Sequence, residues 1–154
     1  MIRNYRDLTR LEMEQVNKDE TIVLIPLGAL EQHGNQAPLG TDDIIAEAMT
    51  DYIRRELEGG PSSEDSDFPM LVFPVIPIGL STEHRNFCGS ITLKPDTYYH
   101  MLYDISTSLV HPGFKKLAFL VCHGGNAPIV QVLSRELRSE FGISPFILSS
   151  GAFS

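Results

Sequence analysis

The chain has little sulfur and little positive charge. Its only cysteines are Cys88 and Cys122, in 154 residues and with no C-x-x-C spacing. That count rules out a disulfide framework. Twelve Lys and Arg stand against twenty Asp and Glu, for a formal charge of −8. The twelve are scattered, so no basic patch is available to nucleic-acid phosphates. No apolar run approaches the roughly 18–20 residues of a membrane span. The N-terminal MIRNYRDLTRLEMEQ lacks the apolar core of a signal peptide. These absences lead us to expect a cytoplasmic chain with no nucleic-acid or membrane partner. No G-x-G-x-x-G or Walker A pattern follows any apolar run, which ranks a nucleotide-binding domain low.

What is present fits one globular domain over residues 1–154, with 42% apolar and 21% charged residues. Thr9, with Glu12 three residues on, predicts the capped start of a short helix over 8–16. The β-branched run at 21–27 predicts a buried strand. Ile45, Met49, Tyr52/Ile53 and Leu57 have helical spacing and predict a helix over 42–58. The polar, acidic stretch 58–69 reads as a surface connector. A second apolar run, 70–78, is interrupted by Pro74 and Pro77 and is expected at a sheet edge or bulge. Tyr98, Leu102, Ile105 and Leu109 mark another helix, residues 116–121 a third strand, and Ile129/Val130, Leu133, Leu137 and Phe141 a last helix. Residues 145–149 open a fourth strand. Strands alternating with helices imply a mostly parallel sheet with helices on both faces.

Polar clusters follow three of these strands directly: Glu31/His33, then Ser81/Glu83/His84, then His123/Asn126. In open α/β sheets ligands bind beyond the carboxyl ends of the strands, so all three clusters belong on one rim. Glu31 and His33 are two residues apart, which points both side chains to one side of an extended chain. Asp42 lies across a loop punctuated by Gly34, Pro38 and Gly40. It can serve as a helix N-cap or as a ligand, and its partnership with Glu31 and His33 favours ligation. His123-Gly124-Gly125-Asn126 can present bare backbone to a ligand, or can be a plain strand-to-helix turn capped by Asn126. Ser81 lacks the G-x-S-x-G elbow of a nucleophile. Glu83 and His84 stay open between substrate binding and a structural role. His100 and His111 read as surface or capping residues, and both cysteines as small buried residues beside the site. Carboxylate and imidazole ligands without thiolate suit Zn²⁺, Mn²⁺ or Fe²⁺, which would activate water toward an amide carbonyl.

IPLGALEQHGNQAPLGTD, IPIGLSTEHRNFCGSITL and VCHGGN, in this order and rough spacing, resemble the creatininase (creatinine amidohydrolase) family over most of the chain. The resemblance implies a three-layer α/β/α sandwich, a binuclear metal site, and hydrolysis of a non-peptide cyclic amide or formamide C–N bond in a homo-oligomer. Carried over by position, Glu31, His33, Asp42 and His123 resemble the metal ligands, with Asp42 as the bridge. Ser81, Gly124 and Asn126 fall where a small-molecule substrate would bind. Gln36 stands where the family commonly has a second His, and Cys88 and Ser90 replace parts of its F-P-G-T. Gly125 stands where creatininase itself carries a further metal-binding glutamate. Family members run longer, so the resemblance also implies a fold truncated at the C-terminus. The alternative it leaves is a non-catalytic remnant that binds metal, ligand or partner without turnover.

Overall fold

Four short apolar runs alternate with amphipathic stretches, and the chain folds accordingly, with a fifth strand at its start. In the computed structural model, which describes residues 1–59 and 69–150, the elements run β1 (Ile2–Asn4), α1 (Arg10–Gln15), β2 (Ile22–Leu27), α2 (Thr41–Gly59), β3 (Met70–Val72), α3 (Pro95–Val110), β4 (Lys116–Val121), α4 (Ala127–Phe141) and β5 (Phe146–Ser149). Residues 60–68, most of the expected acidic connector, lie outside the described residues. All strand pairings are parallel, in the order β1-β3-β2-β4-β5.

Side chains alternate across a strand, so the sheet has two apolar faces to cover. Val23, Ile25 and Leu27 join Leu117, Phe119 and Val121 on one face. There they pack with Tyr98, Leu102 and Leu109 of α3 and Val130, Leu133 and Leu137 of α4. Leu24, Ala118, Leu120 and Cys122 occupy the other face with Ala46 of α2, flanked by the half-buried Met49, Ile53 and Leu57. The result is the expected α/β/α sandwich.

α2 is rotated from its most hydrophobic reading. Ala46 and Thr50 are buried, whereas Ile45 and Tyr52 are exposed. A small residue lets the helix approach the sheet, and Thr50 Oγ1 satisfies itself on the Ala46 carbonyl at 2.7 Å. At α1 the capping box forms as expected, with Thr9 and Glu12 bonded reciprocally.

The second apolar run departs from expectation. β3 is only three residues long and lies inside the sheet, paired with β1 on one side and β2 on the other. β1 is the edge strand, and its sequence IRN carries no alternation that would announce it. Pro74 ends β3 early, and the chain rejoins β2 through an isolated bridge between Leu27 and Ile76. The gap accommodates Pro26 inside a central strand. Phe73 N–H donates to Leu24 O and Ile76 N–H to Pro26 O, so the N–H that Pro26 lacks faces the stretch where β3 has left the ladder. No helix of the described residues is long and apolar enough to cross a membrane.

Tyr98 is fully buried under the sheet. Its hydroxyl has no hydrogen-bond partner among the described residues, and burial pushes its pKa well above the ordinary 10. Removing an unpaired buried hydroxyl costs nothing and relieves its desolvation. Tyr98→Phe should therefore leave stability unchanged or raise it by up to about 1 kcal/mol. Tyr98→Ala, which empties the same space, should cost about 3–5 kcal/mol. Urea unfolding midpoints check both, and a loss for Tyr98→Phe approaching that of Tyr98→Ala would contradict the reading.

Candidate metal centre

The loops after β2, β3 and β4 meet at the C-terminal rim of the sheet, and one side chain ties them together. Asn126 is fully buried. Its Oδ1 accepts from Leu80 N–H at 3.0 Å, and its Nδ2 donates to Gly28 O at 2.9 Å. The clamp is tight enough to exclude a side chain at Gly79, where a Cβ would lie 2.2 Å from Asn126 Oδ1. Asn126 makes no side-chain cap bond to α4, so the capping alternative is not what the residue does.

His123 is held from the same loop. Its Nε2 lies 2.7 Å from Leu80 O. A carbonyl only accepts, so Nε2 carries the proton and Nδ1 is the nitrogen offered to the site. That nitrogen is 3.1 Å from Asp42 Oδ2 and 3.5 Å from Glu31 Oε1. His33 is fixed in the mirror sense: its Nδ1 lies 3.1 Å from the Glu31 carbonyl. Its Nε2 is 3.3 Å from Asp42 Oδ1 and 3.8 Å from Glu31 Oε1. Asp42 is the second residue of α2, within the first turn rather than at the cap, where the helix dipole favours its charge. Its two oxygens face different imidazoles.

Glu31, Asp42 and His123 are 4%, 5% and 7% exposed. Each offers a ligand atom within 4.8 Å of the others. Glu31 Oε2 and Asp42 Oδ2 are buried without a conventional hydrogen bond among the described residues; His123 Nδ1 meets Asp42 Oδ2 as an ion-pair contact. Two buried carboxylates with idle oxygens, facing imidazoles whose other nitrogens are anchored on backbone, fit a divalent cation. The sequence-predicted ligands are thus brought together, with His33 at the more open side of the cluster.

The predicted substrate-side residues are placed differently from one another. Gly124 is exposed, with nothing within 4 Å of where a Cβ would stand. Ser81 is fully buried, its N–H bonded to Thr92 Oγ1 at 2.9 Å and its own Oγ without a hydrogen bond among the described residues. Asn126 spends both amide groups on backbone. Glu83 is exposed, whereas His84 reaches the cluster, its Nε2 3.6 Å from Glu31 Oε1. Cys122 is buried, and its thiol is pushed up to about 11 by burial and by Asp42. Cys88 is exposed, contrary to the sequence expectation, because it sits on the turns that follow His84 rather than under the sheet.

Two glycines are steric requirements of this arrangement. A Cβ at Gly125 would come 2.3 Å from Leu80 O and 2.5 Å from His123 Nε2. No carboxylate side chain fits there while the His123–Leu80 bond exists. At Gly28 a Cβ would meet Asp43, 1.9 Å from Oδ1 and 3.1 Å from the backbone Cα. That contact seats the first turn of α2, and with it Asp42, against the end of β2.

A parallel α/β sandwich with a buried carboxylate–imidazole cluster on its C-terminal rim is the class that fold and site define. The chain belongs to the creatininase family: the family model "Creatinine amidohydrolase" matches residues 6–152. It is 33% identical over 118 residues to a mycofactocin precursor peptide peptidase of Mycobacterium ulcerans (strain Agy99), covering 77% of this chain and 46% of that protein. The chain therefore spans about half the length of this curated relative. It superposes on a Trp-to-Phe variant of creatininase with a TM-score of 0.77 at 25% identity, over 97% of this chain and 59% of the other. A Glu-to-Gln variant of creatininase described as Zn-Zn type gives 0.76 at 25% identity, with 97% and 58% coverage.

Two outcomes follow from this geometry. Asn126→Ala leaves Leu80 N–H and Gly28 O unpaired and should cost about 2–4 kcal/mol in denaturant unfolding; a loss below about 0.5 kcal/mol would show that the clamp is dispensable. The second concerns His123. Burial opposes its charge, but Asp42, the Leu80 carbonyl and Glu31 outweigh burial and raise its pKa from 6.5 to about 9. In the metal-free protein this stabilises the fold fully below 6.5, and the contribution is lost as pH rises through about 9. Coordination needs Nδ1 bare, so cation uptake at neutral pH should release a proton. Affinity should rise about tenfold per pH unit up to the His123 pKa. Calorimetry in buffers of differing ionisation enthalpy measures the release, and uptake with no proton released at neutral pH would refute it.

Proposed function

We propose that the chain is the metal-binding portion of a hydrolase that cleaves amide C–N bonds with water. The observation that carries this is the burial of Glu31 and Asp42 together, with idle oxygens, between imidazoles of fixed tautomer. Glu31, His33, Asp42 and His123 would hold Zn²⁺, Mn²⁺ or Fe²⁺. Asp42, with one oxygen toward His33 and the other toward His123, is suited to bridge two ions. A divalent cation there supplies a lowered water pKa and polarisation of the scissile carbonyl. The chain's own part is to hold both carboxylates in place, through α2 and the loop after β2. It also bares His33 Nε2 and His123 Nδ1, and leaves Gly124 backbone exposed beside His123 for a substrate carbonyl or developing oxyanion.

For the substrate we favour a small non-peptide cyclic amide or formamide, in a homo-oligomer. A peptide amide is the second reading, and two observations favour it. The relative of known role is named a precursor peptide peptidase, and Leu39, Phe87 and Ile91 expose apolar surface on the loops that carry the site, as an extended substrate would use. A remnant that binds metal without turnover is the third.

Metal-depleted protein should take up Zn²⁺ or Mn²⁺ at neutral pH, read by elemental analysis after desalting. Asp42→Asn should weaken uptake by about 100-fold or more, since even partners of a metal ligand cost 10–100-fold. Failure of the native chain to retain any of these metals would sink the proposal. Hydrolysis assays on lactams, formamides and short peptides then separate the readings, with metal retained but no turnover supporting the remnant.

A further inference from the structure

Three imidazoles reach the Glu31 carboxylate, but they do not present the same face to it. His33 and His123 each give one nitrogen to a backbone carbonyl and turn the other inward. His84 is held by an amide instead. Its Nδ1 lies 2.9 Å from Gln32 Nε2. The orientation of that amide is fixed independently, because Gly34 N–H donates to Gln32 Oε1 at 3.0 Å, and Gln32 N–H is itself anchored on Ser90 Oγ at 3.0 Å. An oxygen that accepts from Gly34 leaves the NH₂ group facing His84, and an NH₂ group can only donate. His84 Nδ1 must therefore be the acceptor, which puts the ring proton on Nε2, the atom 3.6 Å from Glu31 Oε1.

From these hydrogen bonds we infer that His84 turns an N–H rather than a lone pair toward Glu31: a positioning residue that faces Glu31 Oε1 at an ion-pair distance of 3.6 Å and withholds a lone pair from a cation. The relay Gly34–Gln32–His84–Glu31 makes Gln32, the residue between two ligands, the determinant of which histidines coordinate. Four imidazole and carboxylate residues ligate, and the third imidazole steadies Glu31. The tautomer assignment stands on the hydrogen bonds alone; its meaning for coordination rests on the metal-site reading above.

Long-range ¹H–¹⁵N correlation spectra of ¹⁵N-histidine-labelled protein test both levels. In metal-free protein at mildly alkaline pH, His84 should show the Nε2–H tautomer, and an Nδ1–H tautomer would overturn the inference. On adding Zn²⁺, His33 Nε2 and His123 Nδ1 should move to metal-bound shifts while both His84 nitrogens stay put. A metal-bound shift at His84 Nε2 would overturn the inference while leaving the metal site intact. Should no histidine respond to Zn²⁺, the metal reading fails, and the tautomer result still decides the relay. Gln32→Glu, which replaces the donating amide by an accepting carboxylate, should leave His84 Nδ1 protonated. An unprotonated Nδ1 in that variant would count against the relay.

Discussion

The burial of Glu31 and Asp42 side by side is the constraint to which the rest of this structure answers. Two carboxylates removed from water within a few ångströms of each other repel, and neither can be neutralised by a lysine or arginine, because no ion pair with one reaches them among the described residues. Only imidazoles do. The metal-free protein meets the problem by holding a proton on His123, whose pKa rises to about 9 in consequence. A divalent cation meets it better, since it replaces one shared proton by two charges and uses the idle oxygens. The site is thus unfavourable by itself and is completed by what binds to it.

Such a site needs rigid support, and the support is backbone-directed. Asn126 joins the loops after β2 and β3 to its own, so its buried amide replaces three separate loop anchors by one. Leu80 serves twice: its N–H donates to Asn126 Oδ1 and its carbonyl orients His123. Glycines at 28, 79 and 125 make these approaches possible. A glutamate at 125, in creatininase fashion, would need a different loop path, because the space is taken by the His123–Leu80 contact. The missing ligand at that position is therefore built into the local packing as well as into the sequence.

The legible parts were those in which one residue type has one physical use. Helical spacing located α3 and α4, because burial of one helix face leaves a repeat, and continuous apolar runs located β2 and β4, because both faces of a central strand are buried. The positions of Glu31, His33 and His123 after strands followed from the α/β alternation, and that of Asp42 from the helix start beyond the loop. What stayed hidden were features decided by partners. The three residues of β1 have no pattern of their own and exist as a strand only because β3 offers an edge. β3 looks like an edge strand for its prolines, yet they fall just past the ladder. α2 turns Ala46 inward instead of Ile45 because helix–sheet distance outweighs the hydrophobicity of single side chains. Asn126 has the sequence of a cap and the environment of a clamp.

His84 illustrates the deepest of these limits. In sequence it is one more histidine after a strand, indistinguishable in kind from His33 and His123. Which ring nitrogen faces the carboxylates is set one residue further out: two carbonyls for His33 and His123, one amide for His84. The amide in turn takes its orientation from Gly34, at φ +78° in the left-handed region. The same stretch that carries Glu31 and His33 thus also carries the side chain that fixes the ring orientation of a third imidazole, His84. A reading of EQHGNQAPLGTD as ligands alone misses that Gln32 and Gly34 are what separate a ligand from a donor.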